Sequence, residues 1–352
     1  MTDQENAFPQ SNGRVAIENV TPEIDGGQFA LKRAVGESVI VEADVFADGH
    51  DVLSAILKFR QEKSADWRET SMTLLVNDRW RGEFAVTEAG IYFYTIEAWI
   101  DHFKSWRRDL KKRLDAGQDV SMDLLVGAEM AEAAARRADS DDAAQLRNWA
   151  AEMRGEKTVA AGRALDIKMA DLMAGYPDRR RATLAAREFR VAVDPPLARF
   201  SAWYELFPRS LGAEGKHGTF SDCEAALPRI AKMGFDILYL PPIHPIGKSF
   251  RKGKNNNPKC QAGEPGSPWA IGSSEGGHKS IHPELGTLED FRRLIEKARG
   301  HKIEIALDIA FQCAPDHPYI KEHPEWFLKR PDGSIQYAEN PPKKYEDIVP
   351  FN

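Results

Sequence analysis

The chain has 352 residues, 42% of them apolar and 29% charged, and its 48 basic against 54 acidic side chains leave a net charge of −6. That length allows two or three domains with full cores, and the composition excludes a disordered or fibrous protein. An acidic chain with no dense Lys/Arg block lacks the electrostatic footprint of a nucleic-acid or membrane-surface binder, and no apolar run approaches the roughly 18 residues of a bilayer span.

The opening MTDQENAFPQSNGR is polar, unlike a signal peptide. Cys223, Cys260 and Cys313 form an odd, widely spaced set. Such a set suits a reducing, cytoplasmic setting better than a disulfide framework. The nine histidines show no zinc-type spacing, and no metal or cofactor is expected.

Residues 1–101 are expected to form the first part of a β-sandwich. In ESVIVEADVFAD, Val39, Val41, Ala43 and Val45 alternate with Ile40, Glu42, Asp44 and Phe46, a period-two pattern. SAILKFR and GIYFYTIEAWI continue it, with turns expected at NDRWRGE and TEAG. From 102 to 187 the period becomes helical: Phe103, Trp106, Leu110 and Leu114 share a face, and Leu146, Trp149 and Met153 repeat it, as do Leu165, Met169, Leu172 and Met173. Such faces serve either a partner helix or, more simply, one another. EFRVAV returns to strand character, so 188–197 is expected to be the sandwich's return strand, with DPP at 194–196 as the exit hinge.

From 198 to 352 the pattern is strand, helix, strand. SAWYELF is a strand candidate, followed by a helix around SDCEAALPRIAKMG that Gly234 ends. Pro228 inside it implies a kink or a late start, since an interior proline costs about 3 kcal/mol. FDILYL is a short buried strand. The next helix has Thr287 as N-cap with Asp290 three residues on, an apolar stripe of Leu288, Phe291, Leu294, Ile295 and Ala298, and Gly300 to close it. In IEIALDIA, Ile303, Ile305, Leu307 and Ile309 face one way and Glu304, Ala306 and Asp308 the other. Repeated βα units of this length imply a parallel sheet, open or closed into a barrel.

Two connections, 241–286 and 311–352, are too long to be simple links. Both leave C-terminal ends of parallel strands, where α/β proteins place their sites, and both are expected to overhang one rim. Asp308, paired in direction with small Ala306, is either a site residue or a structural acid holding loop amides. GKSFRKGKNNN puts Lys248, Arg251, Lys252 and Lys254 within seven residues; the loop either holds an oxygen-rich anion or is simply solvated. Gly247, Lys248 and Ser249 copy the end of a P-loop, but the earlier glycine is Pro242 and no helix follows, so nucleotide binding is a poor reading. AENPPKKYEDI offers Asn340, Lys343, Lys344 and Tyr345 as donors, though a plain surface turn explains it equally well.

Taken in order, these segments resemble the α-amylase superfamily, glycoside hydrolase family 13. SAWYELFPRS is similar to its first barrel strand, MGFDILYLPPIHPIG to its second, and IHPELGTLEDFRRLIEKARGHKIEIALDIA to the second helix and third strand. LPPIHPIG, RKGKNN, ALDIAFQC with APDHP, and ENPPKKYEDI resemble the subgroup of maltosyltransferases that extend α-1,4-glucans from maltose 1-phosphate. Amylases usually carry Asn and His where this chain has Gln312 and Cys313, which fits the subgroup and puts calcium binding in doubt. The resemblance implies a β-sandwich with a helical insert that helps form a homodimer, followed by the first three βα units of a (β/α)8 barrel. It implies that Asp308 is the strand-three aspartate, that Gln312 and Asn256 touch sugar, and that Lys252, Ser267, Asn340, Lys343 and Tyr345 surround the donor's maltose and phosphate.

The family's retaining chemistry needs two carboxylates roughly 5 Å apart, the nucleophile lying in a Gly-x-Arg-x-Asp segment on strand four. No such segment occurs in these residues, and a closed barrel takes about 250 residues. The expectation is therefore an N-terminal portion of a longer enzyme, inactive alone. A glucan hydrolase or trehalose-forming relative, and a non-catalytic glucan-binding or dimerising protein, are the alternative readings.

Overall fold

A computed structural model describes residues 13–352. The first twelve residues, and with them most of the polar opening segment, lie outside the described residues. The chain divides into two compact units, the first ending at Arg199 and the second running Phe200–Asn352.

The first unit opens with eight strands: β1 (Val15–Thr21), β2 (Leu31–Ala34), β3 (Ser38–Ala47), β4 (Leu53–Gln61), β5 (Arg68–Ser71), β6 (Thr73–Leu74), β7 (Arg79–Ala85) and β8 (Gly90–Ile100). Five helices follow: α1 (His102–Asp115), α2 (Ser121–Ala135), α3 (Ser140–Met153), α4 (Lys157–Leu165) and α5 (Ile167–Gly175). Then come β9 (Thr183–Leu184) and β10 (Phe189–Asp194). One sheet has the order β1-β3-β7-β6, the other β2-β10-β8-β4-β5 with β9 also on β8. Their facing side chains form a single core in which Val39, Val41, Ala43 and Val45 are fully buried and Phe59 of one sheet stacks on Phe84 of the other. Period-two alternation puts one side of the longer strands in this core.

The helices leave the sheet after β8 and the chain returns as β10, which pairs antiparallel to β8 and parallel to β2. Their own core gathers Trp106, Leu110, Leu146, Trp149, Met153 and Met169. The helical stretch ends at Gly175 rather than 187, because Thr183 and Leu184 already pair with Ala98 and Glu97 of β8. Asp166 splits the expected continuous face: its extended backbone ends α4 while its carboxylate caps α5 at Lys168. The expected turn at NDRWRGE is only Asn77 and Asp78, both at positive φ. RWRGEFA is a strand whose Trp80, Gly82 and Phe84 point inward. A Cβ on Gly82 would lie 3.0 Å from Met72 and 3.3 Å from Leu57, so the small residue is a packing requirement.

The second unit contains β11 (Trp203–Glu205), α6 (Phe220–Lys232), β12 (Ile237–Leu240), α7 (Leu288–Gly300) and β13 (Glu304–Leu307). The three strands are parallel in the order β11-β12-β13. Leu238, Leu240, Phe220, Leu227, Ile230 and Leu294 form the core between sheet and helices. Both helices begin with a capping box, Thr219 with Asp222 and Thr287 with Asp290. Pro228 neither delays nor ends α6; it sits inside the helix on an exposed position, and Gly234 at φ +86° stops the chain beyond it. Gly300 does not close α7. Lys302 takes the left-handed conformation instead, with Ile303 N–H bonded to Ala298 O and Lys302 N–H to Arg299 O, a Schellman closure two residues later. Beyond β13 come β14 (Gln312–Cys313), the single turn α8 (Tyr319–Glu322), β15 (Ala338–Asn340), β16 (Lys343–Tyr345) and β17 (Val349–Pro350).

Candidate functional site

The sheet of the second unit alternates its side chains. Leu238 and Leu240 enter the helical core, so Tyr239 points to the other face, as Ala306 and Asp308 do beside it. Asp308 lies one residue past β13, its N–H still bonded to Leu240 O at 3.0 Å. Its Oδ2 accepts from the Tyr239 hydroxyl and from Trp269 Nε1, each at 2.8 Å. The Asp308 bond, with burial adding to it, pushes the Tyr239 hydroxyl up to about 12, so it stays a donor at neutral pH. Asp308 thereby links β12 to the long loop that follows it, a structural bond made at the strand ends where a ligand would meet it.

Beside Trp269 opens a cleft of about 520 Å³, lined by Lys252, Asn256, Ser267, Gln312, Tyr345 and Asp347 among others. Asn255 and Asn256 both adopt left-handed backbone, which asparagine tolerates, and this turns the Lys252–Asn257 segment along one wall. Arg209 supports the same wall by donating to Gly266 O at 2.7 Å while lying over the Phe207 ring. Asp347 is 2% exposed and its Oδ1 has no hydrogen-bond partner. Burial raises its carboxyl above the usual range, and the positive charge of Lys252 works against that rise. An unpaired acceptor facing a lysine in a polar cleft is the arrangement expected of a group awaiting a hydroxyl or other donor.

The two long loops are tied together by one carboxylate. Asp316 accepts from the backbone N–H groups of Lys248 and Ser249 and from Ser249 Oγ, all at 2.6 Å. Burial opposes ionisation there, but these bonds outweigh it and hold the carboxyl below its ordinary value. Two amides of the P-loop-like segment, those of Lys248 and Ser249, are thus already occupied by an internal anion, and that of Gly247 donates to Ala270 O at 2.8 Å. Deeper, His278 joins His317 at 3.1 Å and Ala310 O at 2.9 Å. Burial, with the neighbouring His278 and His244, drives His317 down to about 4. Cys313 is fully buried and its thiol is pushed up to about 12, which makes it a packing residue.

Of the residues singled out from the sequence, the cleft brings together Lys252, Asn256, Ser267, Gln312 and Tyr345, and Trp269 connects it to Asp308. Asn340 and Lys343 face each other across the β15–β16 hairpin, exposed and outside the cleft lining. Trp269, Arg209 and Asp347 were missed. A signal existed for one of them: Trp269 is one of only two aromatics in a Gly/Pro-rich loop, whereas Asp347 sits in the turn between β16 and β17, where no alternation applies.

The geometry defines a two-unit protein with a polar cleft at the C-terminal ends of parallel strands. Residues 13–195 match the family described as α-1,4-glucan:maltose-1-phosphate maltosyltransferase, domain N/S. The chain is 53% identical over 350 residues to the α-1,4-glucan:maltose-1-phosphate maltosyltransferase of Myxococcus xanthus, covering 97% of this chain and 53% of that one. It is 51% identical over 341 residues to the protein of the same name from Chlorobaculum tepidum, covering 96% and 51%. A solved α-amylase from Lactobacillus plantarum shares 33% identity over 44% of this chain and 32% of its own, at a TM-score of 0.33, too low to define the fold. The chain belongs to the α-1,4-glucan:maltose-1-phosphate maltosyltransferase family. It spans about half the length of the curated relatives it matches.

Proposed function

We propose that the protein carrying this chain transfers the maltosyl group of maltose 1-phosphate to the non-reducing end of an α-1,4-glucan, with retention and release of phosphate. The observation that carries this reading is the cleft that joins Lys252, Asn256, Ser267, Gln312 and Tyr345 beside Asp308. In it, Lys252 supplies a cation for the phosphate, Tyr345 and Ser267 supply hydroxyl donors, and Asn256, Gln312 and the unpaired Asp347 oxygen match sugar hydroxyls. The three parallel strands with α6 and α7 on one face support a (β/α)8 barrel as the complete catalytic architecture. The nucleophile and acid/base carboxylates of retaining transfer are assigned to none of these 352 residues. Homodimerisation through the helical region is part of the same reading, supported by exposed apolar Met122, Leu125 and Val126 on α2. A cytoplasmic setting, where a sugar phosphate donor would be at hand, fits the three free cysteines.

The test is phosphate release from maltose 1-phosphate in the presence of glycogen. The 352-residue chain should give background, and the longer protein should turn over, with Lys252→Ala and Tyr345→Phe each lowering kcat/KM at least tenfold. Turnover unchanged by both substitutions overturns the assignment of the cleft, and turnover by this chain alone overturns the assignment of the catalytic carboxylates.

A further inference from the structure

A second and larger cavity lies wholly within the first unit and shares no lining residue with the candidate cleft. It measures about 780 Å³, within the range of roughly 300–1,000 Å³ typical of small-molecule sites. One wall is the end of β8 and the other comes from α1, α2, α4 and α5, with Trp99, Phe103, Met130, Leu165 and Met173 among its apolar lining. Trp99 belongs to neither hydrophobic core. Tyr92, Tyr94, Ile96 and Ala98 of β8 fill the sandwich interior, so alternation directs Trp99 to the outer face. There it is 5% exposed, with the Arg179 guanidinium over its ring at 4.8 Å.

The polar inventory of this cavity is one-sided. Trp99 Nε1 and Arg107 Nε are buried N–H donors without an acceptor. Lys104, Arg108, Lys111 and Arg137 add further positive charge to the lining, against only Asp101 and Asp178. Asp101 caps α1 at Lys104 N–H and accepts from Ser54 at 2.8 Å, and Asp178 holds Arg180 at 2.6 Å. Asp101 also holds Lys104 Nζ at 3.3 Å, and Arg108 and Lys111 are paired with Asp109 and Asp115, which leaves Arg107 and Arg137 as the lining cations with no carboxylate partner among the described residues. Two unpaired buried donors and two arginines without a carboxylate, around an apolar floor, call for a ligand that brings an anionic acceptor on an apolar body.

We propose that this cavity between the sheet and the helices is a binding site for a small amphipathic anion, an aromatic or acyl body carrying one carboxylate-, sulfonate- or phosphate-type head. The head meets Trp99 Nε1 and Arg107, and the body lies along Phe103, Met130 and Met173. The proposal is independent of the transferase reading.

The probe is 8-anilinonaphthalene-1-sulfonate, titrated calorimetrically into the 352-residue chain beside the uncharged N-phenyl-1-naphthylamine. The expected result is one saturable site per chain, with the sulfonate at least tenfold tighter than its neutral analogue. Ala174→Trp projects an indole into the cavity from an exposed helical position and should abolish the site while circular dichroism stays unchanged. Arg107→Met should weaken the sulfonate at least tenfold and leave the neutral dye unaffected. Equal affinity for both dyes, or sulfonate binding unchanged by Ala174→Trp, overturns the proposal. So does loss of the site on self-association, which would assign the cavity to a second copy of the chain.

Discussion

The hydroxyl of Tyr239 donates to Asp308 at 2.8 Å, joining the middle strand of the parallel sheet to the residue just beyond its neighbour. Trp269 uses the same carboxylate oxygen, so a single acid positions both an aromatic of the sheet and an aromatic of the loop. Hydrogen bonds to a charged group contribute about 1.5–3 kcal/mol each, and deleting the acceptor strands both donors. Asp308→Ala should therefore destabilise the second unit more than Tyr239→Phe does, by roughly 3–6 against about 1.5–3 kcal/mol, in denaturant melts. In Asp308→Asn, ultraviolet titration should show one tyrosine leaving the range near 12 and moving toward the ordinary value.

Asp347 makes the opposite prediction. Its raised carboxyl pKa means that the folded state holds a proton more readily than the unfolded chain, so ionisation at neutral pH costs stability. Asp347→Asn should stabilise the chain by about 1 kcal/mol at pH 7. The gain should shrink as pH falls through the folded-state pKa, where the native carboxyl protonates by itself. Under the function proposed above, the same substitution should weaken maltose 1-phosphate binding, a trade of stability against ligand that calorimetry on both variants measures.

His317 controls acid sensitivity. In the unfolded chain it protonates near 6.5, but in the folded state it resists protonation down to about 4. Stability tied to the neutral ring is complete above the unfolded value and drains away as pH drops from about 6.5 to about 4. His317→Gln should flatten the Tm–pH curve over that interval. The ring also sits against glycines: a Cβ on Gly272, at φ +108°, would fall 2.2 Å from His317 Cδ2. Gly272→Ala should therefore lower Tm strongly, by strain and collision together.

Pro228 occupies an exposed interior position of α6 and leaves the helix without a hydrogen bond to the Glu224 carbonyl. Pro228→Ala should raise stability by roughly 1–2 kcal/mol, the helical gain being partly offset by a more flexible unfolded chain. A lower denaturation midpoint for the variant would contradict this account.

How much of this was legible in advance depends on where the information sits. Period two in β3 and the Thr287–Asp290 box in α7 are local patterns, and both match the structure residue by residue. Lys302 was invisible because lysine has no left-handed preference; the conformation is imposed by the need to turn from α7 into β13. Strand β7 reads as a turn in the sequence because Gly82 looks like a breaker, and only its packing against Leu57 and Met72 makes it a strand residue. In the candidate site, the lysines and asparagines of the first long loop stood out by composition. Asp347 did not, since a lone acid acquires meaning only from its burial and its unpaired oxygen. The carboxylate of Asp316 that fills the P-loop-like turn lies 67 residues along the chain from Ser249, a separation no local pattern bridges.

The place of β10 between β2 and β8 has a consequence for how the first unit is made. Its slot is interior to the sheet, yet the strand that fills it is synthesised only after the whole helical stretch. At roughly 5–20 residues per second, a ribosome would take several seconds to travel from Ile100 to Phe189. Throughout that interval two strand edges stand open to strangers, and the nascent helices are the nearest screen available to them.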